Sequence, residues 1–391
     1  MIIGADATCW PNERGYGRFT RELLRAMVGE ASGDRFVLFA DEATAGTVDL
    51  DGPNIRVVKV RTDVPPAIAA SAGGRRSVFD MLRMARAVAR ESIDVFFTPS
   101  VYSYFPLPPG LRSVVCVHDA IAERFPQLTL PTARARLFWK SKVALAVRQS
   151  RLIITVSGYA ARELVEVLHI DPARIRLVSE APAASFRPSE RRAEVEAAAL
   201  RVDLPPGARW FVYVGGFNPH KNVDILVRAH ARLAAQQSLD PPHLLLAGPT
   251  GSDVFHTNQK QIQDAIRDCR TEDLVHVTGF VPDEELRHLY SGALALVLPS
   301  QSEGFGLPAV EAAACGTPAI ATTESPLPEL LAEGGVFVEP GNVEALTDAL
   351  TRMLCDETRR RMGEMARERV SRLTWSGAAR ATLDALYEAA A

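Results

Sequence analysis

The sequence predicts an α/β protein made of two doubly wound parallel sheets, on three observations. Short apolar runs without polar alternation recur along the chain, the pattern of strands buried on both faces. Longer stretches with apolar residues at helical spacing separate them, and such alternation marks a doubly wound sheet. At 391 residues the chain exceeds a usual single core, so two domains of about 200 residues each are expected.

Taken in order, the first strand is Ile2 to Ala5, followed by the loop Trp10 to Thr20 with Gly15 and Gly17, then a helical period through Leu23, Leu24, Met27 and Val28. Further strands are predicted at Arg35 to Ala40, Ile55 to Val60, Ile93 to Phe97, Ser113 to Val117 and Leu152 to Val156. Helices are predicted at Ser77 to Arg90, Ala133 to Gln149 and Tyr159 to Leu168, the last with Ser157 as its N-cap. The aromatic and proline-rich stretch Pro99 to Pro109 reads as a stiff loop with exposed rings, either rimming an acceptor site or packed on the surface. Prolines 182, 188, 205 and 206 and a charged run from Glu190 to Glu196 break the alternation. The boundaries are therefore a first domain at 1–185, a linker at 186–207 and a second domain at 208–375. That second domain begins with Trp210 to Val214 and a glycine turn. Strands at Leu244 to Ala247, Leu274 to Val277, Leu294 to Leu298, Pro318 to Ala321 and Val336 to Val338 follow, with helices between.

Composition narrows the function classes. The net charge of −3 and the absence of a basic run argue against nucleic acid as a partner. Five scattered cysteines, Cys9, Cys116, Cys269, Cys315 and Cys355, have no paired spacing and read as reduced thiols. The opening residues lack the basic start and apolar run of a signal peptide, and no apolar stretch reaches about 18 residues, so a cytoplasmic location is expected. Peripheral contact with a membrane stays open, because an amphipathic helix needs no spanning segment.

The chemistry concentrates at Pro299 to Glu311. A buried-strand run ends there in a glycine-rich turn, Pro308 sits near the first helical position, and good helix formers continue until Gly316. The backbone N–H groups of Gly304, Phe305, Gly306 and Leu307 then lie at a helix N-terminus, where an anion or a hydroxyl-rich ligand is favoured. Glu303 and Glu311, eight positions apart, can each accept two hydroxyl hydrogen bonds, as a sugar or ribose requires. The plainer reading is a solvated Glu303 and a Glu311 that complements the helix dipole.

Glu303, seven intervening residues and Glu311, with Gly304-Phe305-Gly306-Leu307-Pro308 between them, resemble the signature of the retaining glycosyltransferases of family four. The resemblance covers nearly the whole chain. It implies the GT-B fold, two Rossmann-like domains facing a central cleft, with a last helix at 376–391 packing back on the first domain. It implies a nucleotide-sugar donor held mainly by the second domain. Glu303 and the amides after it would hold the donor sugar, and Glu311 the nucleotide ribose.

Other positions inherit roles from the same likeness. Gly15 and Gly17 would flank the donor diphosphate and the acceptor. His118, at the C-terminal end of an apolar strand where open parallel sheets bind ligands, would face the donor sugar and diphosphate. Lys221, a cation where a helix begins, is unfavourable to the dipole by roughly 0.3 to 1 kcal/mol unless an anion accompanies it, and the family's lysine at this point binds the diphosphate. The backbone near Phe280 and Val281 would contact the base. The chain departs from a common family pattern in carrying Gly216 and His220 where arginines are often found, so charge on the diphosphate would depend on Lys221, and on His220 when protonated.

The expected activity is transfer of a hexosyl group from a nucleoside-diphosphate sugar to a glycan, lipid-linked or small-molecule hydroxyl. His118, Lys221 and Glu303 are the catalytic candidates, and neither a metal nor a separate cofactor is expected. Asp49-Leu50-Asp51 lies in a loop and not at a strand end that could hold a divalent cation. The alternatives are a nucleotide-sugar epimerase of the same fold and a non-catalytic sugar-nucleotide-binding protein.

Overall fold

The computed structural model describes residues 1–12, 15–64, 77–130, 132–237, 240–249 and 258–391. Glu13 and Arg14 of the first glycine loop lie outside them. The chain divides into two compact units, Met1–Glu180 with Thr374–Ala391, and Ala181–Leu373.

The first unit is built on seven strands: β1 (Ile2–Asp6), β2 (Arg35–Asp41), β3 (Ile55–Val60), β4 (Val95–Thr98), β5 (Ser113–Cys116), β6 (Leu152–Thr155) and β7 (Ile175–Leu177). Their order is β3-β2-β1-β4-β5-β6-β7 and every pairing is parallel. Apolar runs such as Val95-Phe96-Phe97 are wholly buried because helices cover both faces. The strand order reverses between β1 and β4, so the loops after these two strands part there and leave a crevice. Strand β7 has no counterpart in the sequence reading; it is a three-residue edge with Leu177 exposed, too short and too wet for a burial pattern.

The helix Trp375–Ala390 belongs to this unit and packs against the helix Gly15–Glu30. Thr374 caps it by accepting from the Gly377 N–H, and Ala379, Leu383 and Leu386 are buried on its inner face.

The second unit has six parallel strands: β8 (Trp210–Val214), β9 (His243–Ala247), β10 (Val275–Gly279), β11 (Leu296–Leu298), β12 (Ala319–Thr322) and β13 (Gly335–Val338), ordered β10-β9-β8-β11-β12-β13. Its reversal lies between β8 and β11, where Val212 pairs with Leu296.

Two expectations need correction. The stretch 186–207 is not a bare linker: it carries the helix Arg192–Arg201, which packs on the helix Asp283–Gly292 inside the second unit. Its buried contribution is little more than Ala198 and Ala199, so the flanking prolines and charged outer face concealed it. The aromatics of Pro99 to Pro109 are not exposed either. Tyr104 and Phe105 are buried, Phe105 within the core that also holds Met84 and Val88. Among the described residues no helix is long and apolar enough to cross a membrane.

Because Leu386 is fully buried, Leu386→Ala is expected to cost about 2–5 kcal/mol in urea unfolding. A loss below about 1 kcal/mol would show that the last helix is not integral to the first unit's core.

Candidate functional site

In the second unit the candidate residues gather at the C-terminal edge, where β8 and β11 part. After β8 the chain passes Gly215 and Gly216, makes a single 3₁₀ turn over Pro219–Lys221, turns through Asn222 in a left-handed conformation (φ 52°) and enters the helix Val223–Gln236. After β11 the loop Pro299 to Gly306 leads to the helix Leu307–Ala314. Hydrogen bonds join the two loops. The Gln301 N–H donates to the His220 carbonyl at 2.7 Å, Asn222 Nδ2 donates to the Pro299 carbonyl at 3.2 Å, and Lys221 Nζ donates to Glu303 Oε1 at 2.7 Å.

Lys221 is therefore not a bare cation at a helix start. Its side chain is 20% exposed and that of Glu303 12% exposed, so each charge is held mainly by the other. Ser300, fully buried, donates from Oγ to the same Glu303 oxygen at 2.6 Å. The anion that the position of Lys221 calls for is supplied within the chain by Glu303.

Glu311 lies one turn inside the helix Leu307–Ala314, is buried and has a different neighbour, the Tyr290 hydroxyl at a long 3.5 Å. Its carboxylate, together with burial, pushes the Cys315 thiol up to about 12, burial being the larger cause. Phe305 and Leu307 turn their side chains into the core, while Gly306 caps the helix at φ 86°. A Cβ there would lie 2.8 Å from Leu327, so both the backbone angle and the space demand glycine.

Gly216 accepts at its carbonyl from the Tyr213 hydroxyl at 2.5 Å. The adjacent loops continue the row: Gly215 N–H donates to the Ala247 carbonyl and Gly248 N–H to the Gly279 carbonyl. At the end of that row Phe280 is 54% exposed and Val281 buried.

His220 changes the sequence reading. Burial, with the neighbouring Lys221 charge, holds its pKa down to about 3, and Nδ1 is buried without a partner. It is neutral at physiological pH and adds no positive charge beside Lys221.

His118, in the first unit, follows β5. Its ring stands edge-on to Phe19 with centroids 4.8 Å apart and lies 3.8 Å from the Cys116 sulfur, and burial lowers its pKa to about 4. Gly15 opens its helix with nothing within 4 Å of its Cβ direction, but Gly17 lies inside that helix and a Cβ would meet the Asn12 carbonyl oxygen at 2.1 Å. The close approach that makes Gly17 necessary is thus to the chain's own loop. Arg21 holds the same loop by donating to the carbonyls of Trp10 at 2.5 Å and Asn12 at 2.7 Å.

Two family models match, Glycosyltransferase Family 4 over residues 14–181 and Glycosyl transferases group 1 over residues 200–369. The chain belongs to the group 1 glycosyl transferases. It is 34% identical over 267 residues to D-inositol 3-phosphate glycosyltransferase 2 of Catenulispora acidiphila, covering 65% of this chain and 59% of the relative. To O-antigen chain mannosyltransferase B of Escherichia coli it is 29% identical over 260 residues, 65% of this chain and 64% of the relative. The matches thus span less than two thirds of these relatives' own lengths. Among solved structures, sucrose-phosphate synthase of Thermosynechococcus elongatus superposes with a TM-score of 0.77 at 22% identity, over 99% of this chain and 98% of that one. Anabaena HepE in complex with UDP and glucose gives 0.73 at 16%, over 99% and 100%. Both share the fold.

The structure adds Ser300, Asn222, Tyr213 and Tyr290 as hydrogen-bond partners of the candidate residues and their loops. Ser300 was legible as a hydroxyl three residues before Glu303. The two tyrosines lie in other elements and carried no motif.

Two predictions follow from this geometry. In a double-mutant cycle, Lys221→Met should destabilise more than Lys221→Met with Glu303→Gln, since the single change leaves a largely buried carboxylate without its cation. A coupling of about 1–3 kcal/mol is expected by chemical denaturation; additive effects would show that the pair is not coupled. His118 and His220 have folded pKa values below the ordinary 6.5, so the unfolded chain binds more protons between about pH 4 and 6.5. Stability should be full above about pH 6.5 and fall through that window as pH drops. His118→Asn should flatten the fall in melting temperature, and an unaltered slope would place the titration elsewhere.

Proposed function

We propose that the chain is a retaining, metal-independent glycosyltransferase that moves a hexosyl group from a nucleoside-diphosphate sugar to the hydroxyl of a glycan, lipid-linked or small-molecule acceptor. The observation that carries the reading is the Lys221–Glu303 pair, a cation and a carboxylate held 2.7 Å apart where the second sheet's order reverses. The names of the relatives, a mannosyltransferase and an inositol phosphate glycosyltransferase, and the UDP and glucose in the HepE complex support it.

The difficult part of such a transfer is charge on the departing diphosphate. An ammonium has three N–H donors. Glu303 takes one, which fixes the direction of Nζ and leaves two for phosphate oxygens. The N-terminus of the helix Leu307–Ala314 adds positive potential nearby in the chain. In this reading Glu303 and the amides of Gly304 to Leu307 hold the sugar, Glu311 the ribose, and the backbone at Phe280 and Val281 the base. Gly17 closes the first unit's loop against its helix. The bond from the anomeric carbon to the phosphate oxygen breaks while the bond to the acceptor oxygen forms on the same face of the sugar. The acceptor's proton passes to the departing phosphate oxygen. His118, neutral, orients the donor by hydrogen bonding and exchanges no proton.

The test is a thermal-shift panel with GDP, UDP, ADP and dTDP and their common sugar conjugates. A ligand at about 100 times its dissociation constant stabilises by roughly 2.7 kcal/mol, so one nucleotide should raise the melting temperature of the wild type and fail on Lys221→Ala. A Lys221→Ala protein that binds the nucleotide normally would overturn the role of Lys221. Donor turnover is expected only with an acceptor present and undiminished by EDTA; consumption without acceptor would point to epimerisation.

A further inference from the structure

The outer face of the helix Ala133–Gln149 is built for a partner of a particular kind. Its inner face is filled by Trp139, Val143 and Ala146. Away from that side, Leu137 is 68% exposed, and Phe138 and Leu145, seven positions apart and so on one helical face, are exposed on its flank. The same helix carries Arg134, Arg136, Lys140, Lys142 and Arg148 and no acidic residue, in a chain whose net charge is −3. Lys142 is committed inward, donating to the Tyr102 carbonyl at 2.5 Å and lying over the Trp139 ring. Arg136 is tied to the Leu130 carbonyl. Arg134, Lys140 and Arg148 remain at the ends and flank of the apolar stripe, all exposed.

A second helix carries a similar exposed apolar side. Val78–Ala89 turns Asp80, Met84 and Val88 inward and presents Phe79, 72% exposed, with Leu82 and Arg86 following it along the outside. The two helices connect β3 to β4 and β5 to β6, crossovers that run in the same direction along the strand order. Right-handed connections therefore place both on one side of the sheet. The packing agrees: Gln149 bonds both the N–H and the carbonyl of Leu107, and Leu107 shares a core with Met84 and Val88.

We propose that this two-helix face docks the protein onto the anionic surface of a lipid bilayer, with Phe79, Leu137, Phe138 and Leu145 entering at headgroup depth and Arg134, Lys140 and Arg148 meeting lipid phosphates. An apolar stripe flanked by cations is what an interfacial helix presents. A second copy of the chain is a poorer occupant, because a two-fold interface would set these cations against their own kind. RNA would leave the apolar stripe unused. The inference does not rest on the glycosyl-transfer reading, and vesicle binding is measured without donor or acceptor, so either can fail alone.

The experiment is co-sedimentation of the full chain with vesicles of phosphatidylcholine alone and with about one third phosphatidylglycerol. Binding is expected to the anionic vesicles only and to weaken with added salt. Arg134→Gln with Lys140→Gln should weaken it roughly tenfold or more, and Leu137→Glu with Leu145→Glu should abolish it while the melting temperature is kept, since both positions are exposed. Failure of the wild type to bind anionic vesicles, equal binding to neutral ones, or undiminished binding by either double variant would overturn the proposal. So would a concentration-dependent dimer that Leu137→Glu dissolves, which would make the occupant a second copy.

Discussion

The second unit depends on one electrostatic constraint: two charges, 82 positions apart in the chain, are withdrawn together from water at the edge of a parallel sheet. A largely buried ammonium or carboxylate is tolerated only with a partner. The Lys221–Glu303 contact can therefore form only if the loops after β8 and β11 are adjacent, which the strand order secures. The backbone bonds from Gln301 to His220 and from Asn222 to Pro299 then hold the two loops in register. The pair is thus a consequence of the fold and also what gives the site its polarity.

Much of the architecture was legible because its strands are buried on both faces. Val95-Phe96-Phe97 or Leu244-Leu245-Leu246 has no polar side to blur the pattern, and the helix Ala133–Gln149 follows its predicted limits. The elements that escaped are those whose burial is slight. The edge strand Ile175–Leu177 and the helix Arg192–Arg201 give up too few side chains to the interior for a period to show. The motif from Pro299 to Glu311 was legible as strand, turn and helix, and Gly306 and Gly316 adopt the left-handed angles that such punctuation requires. Which acid faces which base was not, because Lys221 and Glu303 meet through tertiary packing that no local spacing encodes.

Two residues take their character from tertiary packing that residue type does not reveal. At Gly17 the missing Cβ makes room for the Asn12 carbonyl, which Arg21 then holds. The glycine acts by closing a loop against its helix. His220 would add charge only when protonated, and it sits where burial and the Lys221 charge both oppose protonation. Positive charge at this edge is consequently concentrated on Lys221, whose direction is set by Glu303 and, through Glu303, by Ser300.

In the first unit the helix Ala133–Gln149 has a buried side and an exposed one. The inner side of Ala133–Gln149 places Trp139 against Tyr102, in the loop after β4, at 4.9 Å, and Tyr102 in turn stacks at 5.2 Å on Tyr16, in the first turn of the helix Gly15–Glu30. Lys142 closes the arrangement by donating to the Tyr102 carbonyl. The outer side of the same helix carries the exposed apolar stripe and its cations. Helical periodicity makes this division possible without conflict: residues three and four apart share a face, so Trp139 and Val143 can serve the interior while Leu137, Phe138 and Leu145 remain outside.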